Sequence, residues 1–235
     1  MKQFAVIVKL LFGLVMLSAC LYPGNETQSR MPVEEQVKQV QHAVNEYRND
    51  HDGLLPIKDR HHETDPFLKY AVDFQKLVPR YLHEIPDNAY EKGGFHQYVI
   101  IETEKNPEVK LADLRIADKI QELHARIKRQ TYPPFQKKIS HNVYTLDFSK
   151  LGYKEEPVVE SPFTGQNLPL VISGEGNIYV DYAADLYQQM KKKSNTYYRN
   201  EDLRMLLAED SLFVPAFSLP YTADDSGEPV FMDKK

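Results

Sequence analysis

Three groups of residues could do chemistry in this sequence. The densest is an acid and imidazole run: Asp50-His51-Asp52, then Asp59, His61, His62, Glu63 and Asp65. Imidazole nitrogen with carboxylate oxygen suits zinc or another divalent ion. The spacing completes no ligand set. His62-Glu63 opens a zincin-like word, but Pro66 stands where the second histidine belongs. Read as a calcium loop with Gly53 in sixth place, Asp50 and Asp52 fall on ligand positions, and Arg48 takes the first, where an acid is needed. His61, His62, Glu63 and Asp65 stand as metal candidates against a solvated loop beside a helix end, and no cofactor is expected. The second group is Asp73 and Asp147, which recur in one motif followed by Phe74 and Phe148. Two such acids could form a general acid and base. Helix capping explains both more simply, with the phenylalanines turned inward. There is no G-x-S-x-G, no glycine-rich phosphate loop and no cysteine nucleophile placed for catalysis.

The third group is Leu17-Ser18-Ala19-Cys20, which holds the only cysteine. Lys2 and Lys9 precede the apolar run 10–17. A charged zone, an apolar zone and a small-residue site in that order read as an export signal, too short to span a bilayer. The four residues resemble a bacterial lipobox. That resemblance implies a diacylglyceryl thioether on Cys20, cleavage before it, residues 1–19 as lipoprotein signal peptide and 20–31 as a polar tether. Two acyl chains anchor stably where one does not. Cleavage removes Lys2 and Lys9 and takes the net charge from −5 to −7. A modestly acidic chain is a poor candidate for nucleic acid or for lying flat on anionic lipid. With Cys20 lipidated no thiol remains for a disulfide, so the exported part must carry a proper core. Lys191-Lys192-Lys193 could touch lipid phosphate, but a helix end also suits three cations.

Two long helices must position these groups. Pro32 can open the first, with Glu34 and Glu35 favourable to its dipole. Val33, Val37, Val40, Val44 and Tyr47 form one apolar stripe. Ile116, Ile120, Leu123 and Ile127 repeat the stripe within a helix expected over 112–130. Leu54-Leu55-Pro56-Ile57 is extended, because proline restrains the residue before it. Residues 95–102 read as a strand, and 168–172 with 178–182 as a hairpin across a glycine-rich turn. Residues 183–193 and 201–208 read as helices, with Asn200 capping the latter. The tail 214–235, with its prolines, reads as loosely ordered.

Tyr70-Ala71-Val72-Asp73-Phe74-Gln75-Lys76-Leu77 and Tyr144-Thr145-Leu146-Asp147-Phe148-Ser149-Lys150-Leu151 share five of eight residues at a separation of 74. Each follows a striped helix and a proline-containing extended piece. The expected fold class is α+β: two tandem units, 32–110 and 111–213, each a long amphipathic helix with a small antiparallel sheet. Tyr81-Leu82, Pro86-Asp87 and the strand 95–101 resemble the heads of type IV pilins and pseudopilins, although the lipobox replaces their long hydrophobic helix. Leu54-Leu55-Pro56-Ile57, Val72-Asp73-Phe74 and Leu77-Val78-Pro79-Arg80-Tyr81-Leu82, with the lipobox, resemble the YphF-like lipoproteins of Bacillus-type bacteria. The expectation is a lipoprotein on the extracytoplasmic face of the cell membrane, held through diacylglycerol on Cys20. Its role is a non-catalytic binding or assembly module with an envelope protein as partner. The alternatives are a solute-binding subunit of a transporter and a metal-dependent envelope hydrolase.

Overall fold

A computed structural model describes residues 31–58, 65–130, 132–193 and 201–232. Cys20, His61, His62, Glu63 and Asn200 lie outside the described residues, as do the signal peptide and the tether up to residue 30. Pro32–Lys235 is one compact unit. The mixture of helices and small antiparallel sheets makes it α+β, as expected.

Helix α1 spans Val33–Asp50, and the carbonyl of Pro32 accepts its first backbone N–H groups. Its stripe buries Val37, Val40, Ala43 and Val44. Opposite lies a two-stranded antiparallel sheet, β1 (His96–Ile101) with β2 (Glu108–Asp113). Gln41 locks helix to sheet: its carbonyl accepts the Val109 N–H at 2.6 Å and its amide donates to the Pro107 carbonyl at 3.0 Å.

Strand β2 was not expected. The second helix, read from 112, begins later: α3 spans Arg115–Ile127, after the short helix α2 (Phe74–Leu77). The boundary expected between 110 and 111 therefore falls inside a strand. Lys110 and Asp113 interrupt the apolar pattern of β2, yet both are buried. Lys110 reaches the Ser211 carbonyl at 2.8 Å. Asp113 accepts the Arg115 N–H at 2.9 Å and both ends of that guanidinium. The far edge of β2 is occupied too, since Leu111 exchanges backbone bonds with Leu212 and Val214. Polar residues with such partners are invisible to a reading by alternation.

Beyond α3, four antiparallel strands pair in the order β3-β4-β7-β8: Phe135–Ser140, Val143–Leu146, Leu170–Ser173 and Ile178–Val180. Between them sits the small ladder of β5 (Val159–Glu160) and β6 (Asn167–Leu168). Ile116, Ile120, Leu123 and Ile127 of α3 join Leu146, Ile172 and Val180 in one core. Helix α4 (Ala183–Lys193) contributes Leu186 and Met190 to it, and α5 (Met205–Glu209) contributes Leu207.

As far as residue 232, the tail is not loose. Tyr221 is wholly buried, its hydroxyl donates to Asp181 at 2.7 Å, and its carbonyl accepts the Leu203 N–H. β9 (Tyr221–Ala223) and β10 (Pro229–Phe231) form a hairpin. Pro220 directly precedes β9 and Pro229 opens β10, positions a strand tolerates.

The repeated motif folds alike at its two places. Asp73 donates its N–H to the Pro56 carbonyl at 2.7 Å, and Asp147 donates to the Pro134 carbonyl at 2.8 Å. A short helical turn follows each, burying Phe74 with Leu77 and Phe148 with Leu151. The carboxylates differ. Asp73 accepts the Gln75 N–H at 3.1 Å, whereas Asp147 accepts the Ser149 hydroxyl at 2.5 Å, which holds its carboxyl below the usual range. The neighbouring phenylalanines belong to separate cores, so these acids do not share a pocket. Asp73→Ala should then cost about 0.5–2 kcal/mol of stability, and Asp147→Ala clearly less. Urea unfolding of the two variants checks this, and equal losses would contradict it.

Candidate functional site

A cleft of about 560 Å³ opens where α3, the β7–β8 hairpin and residues 217–220 meet. That volume lies in the range of small-molecule sites. Ile120 and His124 line it from α3, and Ile178 and Tyr179 from β8. Asp65, Arg204 and the strap 217–220 complete it.

The strap is held by hydrogen bonds along its length, the last from the Met232 N–H to the Pro220 carbonyl at 2.8 Å. Phe217 has a left-handed backbone, φ 59°, which a bulky side chain rarely adopts. Its N–H donates to Asp65 Oδ2 at 2.7 Å, and its carbonyl accepts the Val180 N–H at 2.8 Å. The Ser218 carbonyl accepts Arg204 Nη1 at 2.9 Å, and the Ser218 hydroxyl donates to the Pro215 carbonyl at 2.5 Å. Such strain persists only where the surroundings over-determine it.

The two charged groups of the cleft are spent on this work. The second oxygen of Asp65 accepts the Phe67 N–H at 2.9 Å. Arg204 is buried, pairs with Asp202 through Nε and Nη2, and lies 5.1 Å from the Phe67 ring. Asp65 is thus a structural acid whose oxygens are taken, and its three companion metal candidates lie outside the described residues. Among the described residues no group of three or more His, Cys, Asp or Glu is placed to hold a metal.

His124 and Tyr179 remain for a ligand. The His124 ring makes no hydrogen bond among the described residues. Burial, aided by Lys128, lowers its pKa and favours the neutral ring, one donor and one acceptor. Burial, with Glu175 nearby, raises the Tyr179 hydroxyl against a hydrogen bond with Asn177, so it stays protonated and keeps its O–H to donate. Ile120, Ile178, Leu219 and Phe217 supply apolar wall. This arrangement suits an uncharged, partly apolar molecule that hydrogen-bonds to imidazole and phenol.

A second cleft of about 410 Å³ lies beside α4 and includes Asp185 and Thr164. Asp185 accepts the Ser161 hydroxyl at 2.7 Å and that of Thr164 at 2.6 Å, and burial raises its carboxyl. Ser161 Oγ also accepts the Phe163 and Thr164 N–H groups, at 3.0 and 3.2 Å. This serine closes the β5–β6 turn, and no histidine lines the cleft among the described residues.

With this geometry in hand, comparison places the first part of the chain. Residues 33–113 match the YphF family N-terminal domain. The match opens with α1 and stops with the last residue of β2. No curated protein and no solved structure matches the chain. Of the cleft residues only Asp65 and Pro66 fall inside the YphF-like stretch, and the rest come from beyond it. The site could not be read along the sequence, because its groups lie between positions 65 and 220.

Asp65 makes the cleft sensitive to pH. Burial holds its carboxyl above the ordinary 3.8, outweighing the two N–H bonds and Arg204. Between 3.8 and that raised value the folded state holds more protons than the unfolded one, so stability falls as pH rises. Asp65→Asn lacks this term and places an amide donor against a backbone donor. It should lose about 1–3 kcal/mol, and the advantage of the wild type should shrink as pH rises through the window. Urea titrations across acid pH read the difference, and an advantage that grows with pH would contradict the assignment.

Proposed function

We propose that the chain is a lipoprotein anchored through Cys20 on the extracytoplasmic face of the cell membrane, and that its folded part is a non-catalytic binding or assembly module of the envelope. The observation that carries the binding reading is the cleft. Its charged groups, Asp65 and Arg204, are committed to its walls, while neutral His124 and the Tyr179 hydroxyl face a ligand. Anchoring is supported by the sequence Leu17-Ser18-Ala19-Cys20. No helix among the described residues is long and apolar enough to cross a membrane.

A solute-binding subunit of a transporter would use the same cleft. Against it, every strand ladder among the described residues is antiparallel, whereas such subunits are built on parallel βαβ units. The hydrolase reading draws on His61 and His62, and the cleft offers it Asp65 only as a spent acid.

Cys20→Ala should block lipidation and leave an uncleaved precursor, read by intact mass. An unmodified Cys20 at the mature wild-type N-terminus would end the anchoring proposal. Binding is tested by affinity capture of the detergent-extracted chain, with mass spectrometry of what it holds. A His124→Leu, Tyr179→Phe variant should lose the captured species, and undiminished capture would move binding away from the cleft.

A further inference from the structure

Charge is segregated along this chain. Between Glu122 and Asp147 there is no acid, but there are Arg126, Lys128, Arg129, Lys137 and Lys138. The chain as a whole carries 34 acids and 29 bases, and a second acid-free stretch, between Asp185 and Glu201, holds the lysine run Lys191-Lys192-Lys193. Arg126 is bound by Glu122 and lies 4.2 Å from the Tyr153 ring centroid. The other four are exposed, two after the end of α3 and two on β3, and none has a carboxylate partner among the described residues. The same corner exposes Tyr132 at 78 %, Phe135 at 39 % and Ile139 at 38 %.

Two kinds of occupant suit exposed cations on a sheet edge: an acidic strand or an anionic surface. β3 is a poor template for a strand. Its ladder shifts register twice, and the Lys137 N–H already donates to Thr145 Oγ1 at 3.1 Å. Cations interleaved with exposed aromatic and aliphatic side chains are instead the composition of a surface that lies on lipid headgroups. Two lysines of the run considered for lipid phosphate in the sequence are engaged elsewhere. Lys193 is bound by Glu209 and Asp210, and Lys191 lies over the Tyr187 ring.

We propose that this corner, the end of α3 with β3, is a reversible docking surface for a bilayer of anionic phospholipid. Lys128, Arg129, Lys137 and Lys138 meet the headgroup phosphates, and Tyr132, Phe135 and Ile139 settle at headgroup depth. The proposal rests on the membrane-anchored reading. It adds to the anchor a contact that fixes how the module faces the membrane.

The test uses Pro32–Lys235, which is one compact unit and contains every residue of the four apolar clusters. Working without the anchor keeps a failure of lipidation separate from a failure of this surface. The chain has no tryptophan, so Tyr132→Trp provides a single reporter. With phosphatidylcholine vesicles containing phosphatidylglycerol, its emission should shift to the blue, brominated lipid should quench it, and added salt should reverse both. Leu54→Trp, on a residue 67 % exposed, should report no change. Each of Lys128→Gln, Lys137→Gln and Lys138→Gln should lower the partition coefficient about fivefold. Equal binding to pure phosphatidylcholine, equal shifts from both reporters, or no shift at all would overturn the proposal. A response to polyglutamate but not to vesicles would also overturn it, and would assign the corner to an acidic peptide.

Discussion

The Asp65 carboxylate ties together parts of the chain 152 residues apart, and the shape of the cleft depends on that tie. Two large apolar cores fill this fold. One is built by α1, β1 and β2, the other by α3, the four-stranded sheet and α4. They meet at a thinner seam of Phe67, Leu68, Val99 and Ala112 against Ala208, Val214 and Ala216. Several of these are alanines, so the seam buries little apolar surface per residue. Hydrogen bonds supply what packing does not: Leu111 with Leu212 and Val214, Lys110 with Ser211, and Asp65 with Phe217. Unmaking the last would leave Asp65 Oδ2 and a strained backbone N–H unsatisfied, the costly side of hydrogen-bond energetics.

The periodic parts of the fold were legible in the sequence. The stripes of α1 and α3, the β7–β8 hairpin and the turn at Asp73 follow from spacing and capping chemistry alone. The errors share one physical cause. β2 and the tail are ordered by partners distant in sequence, with Lys110 on Ser211 and Asp181 on Tyr221, while Asp113 is satisfied by its neighbour Arg115. A buried charge with a partner reads as surface until the partner is known. Asp65 is the same case: it looked like a ligand because two histidines and an acid precede it, and it is a joint because Phe67 and Phe217 face it. Whole-chain charge is an average, and an acidic one leaves the acid-free stretch between Glu122 and Asp147 out of sight.

Function in this account comes from separating roles. The YphF-like stretch 33–113 provides α1, β1, β2 and Asp65. The part beyond it provides the cleft walls, the neutral hydrogen-bonding groups and the basic corner. Charged side chains inside the fold hold backbone in place, and uncharged ones face the cleft. A binding module needs this order, because a preformed site avoids the cost of arranging itself around each ligand.

Hydrogen exchange at the Phe217 amide tests the central claim, a cleft wall locked to the first core through Asp65. The account predicts that this amide, although in a loop, exchanges only with opening as rare as that of β2 and β7. Fast exchange at Phe217 while those strands remain protected would show that the strap is free, and that the cleft is not preformed.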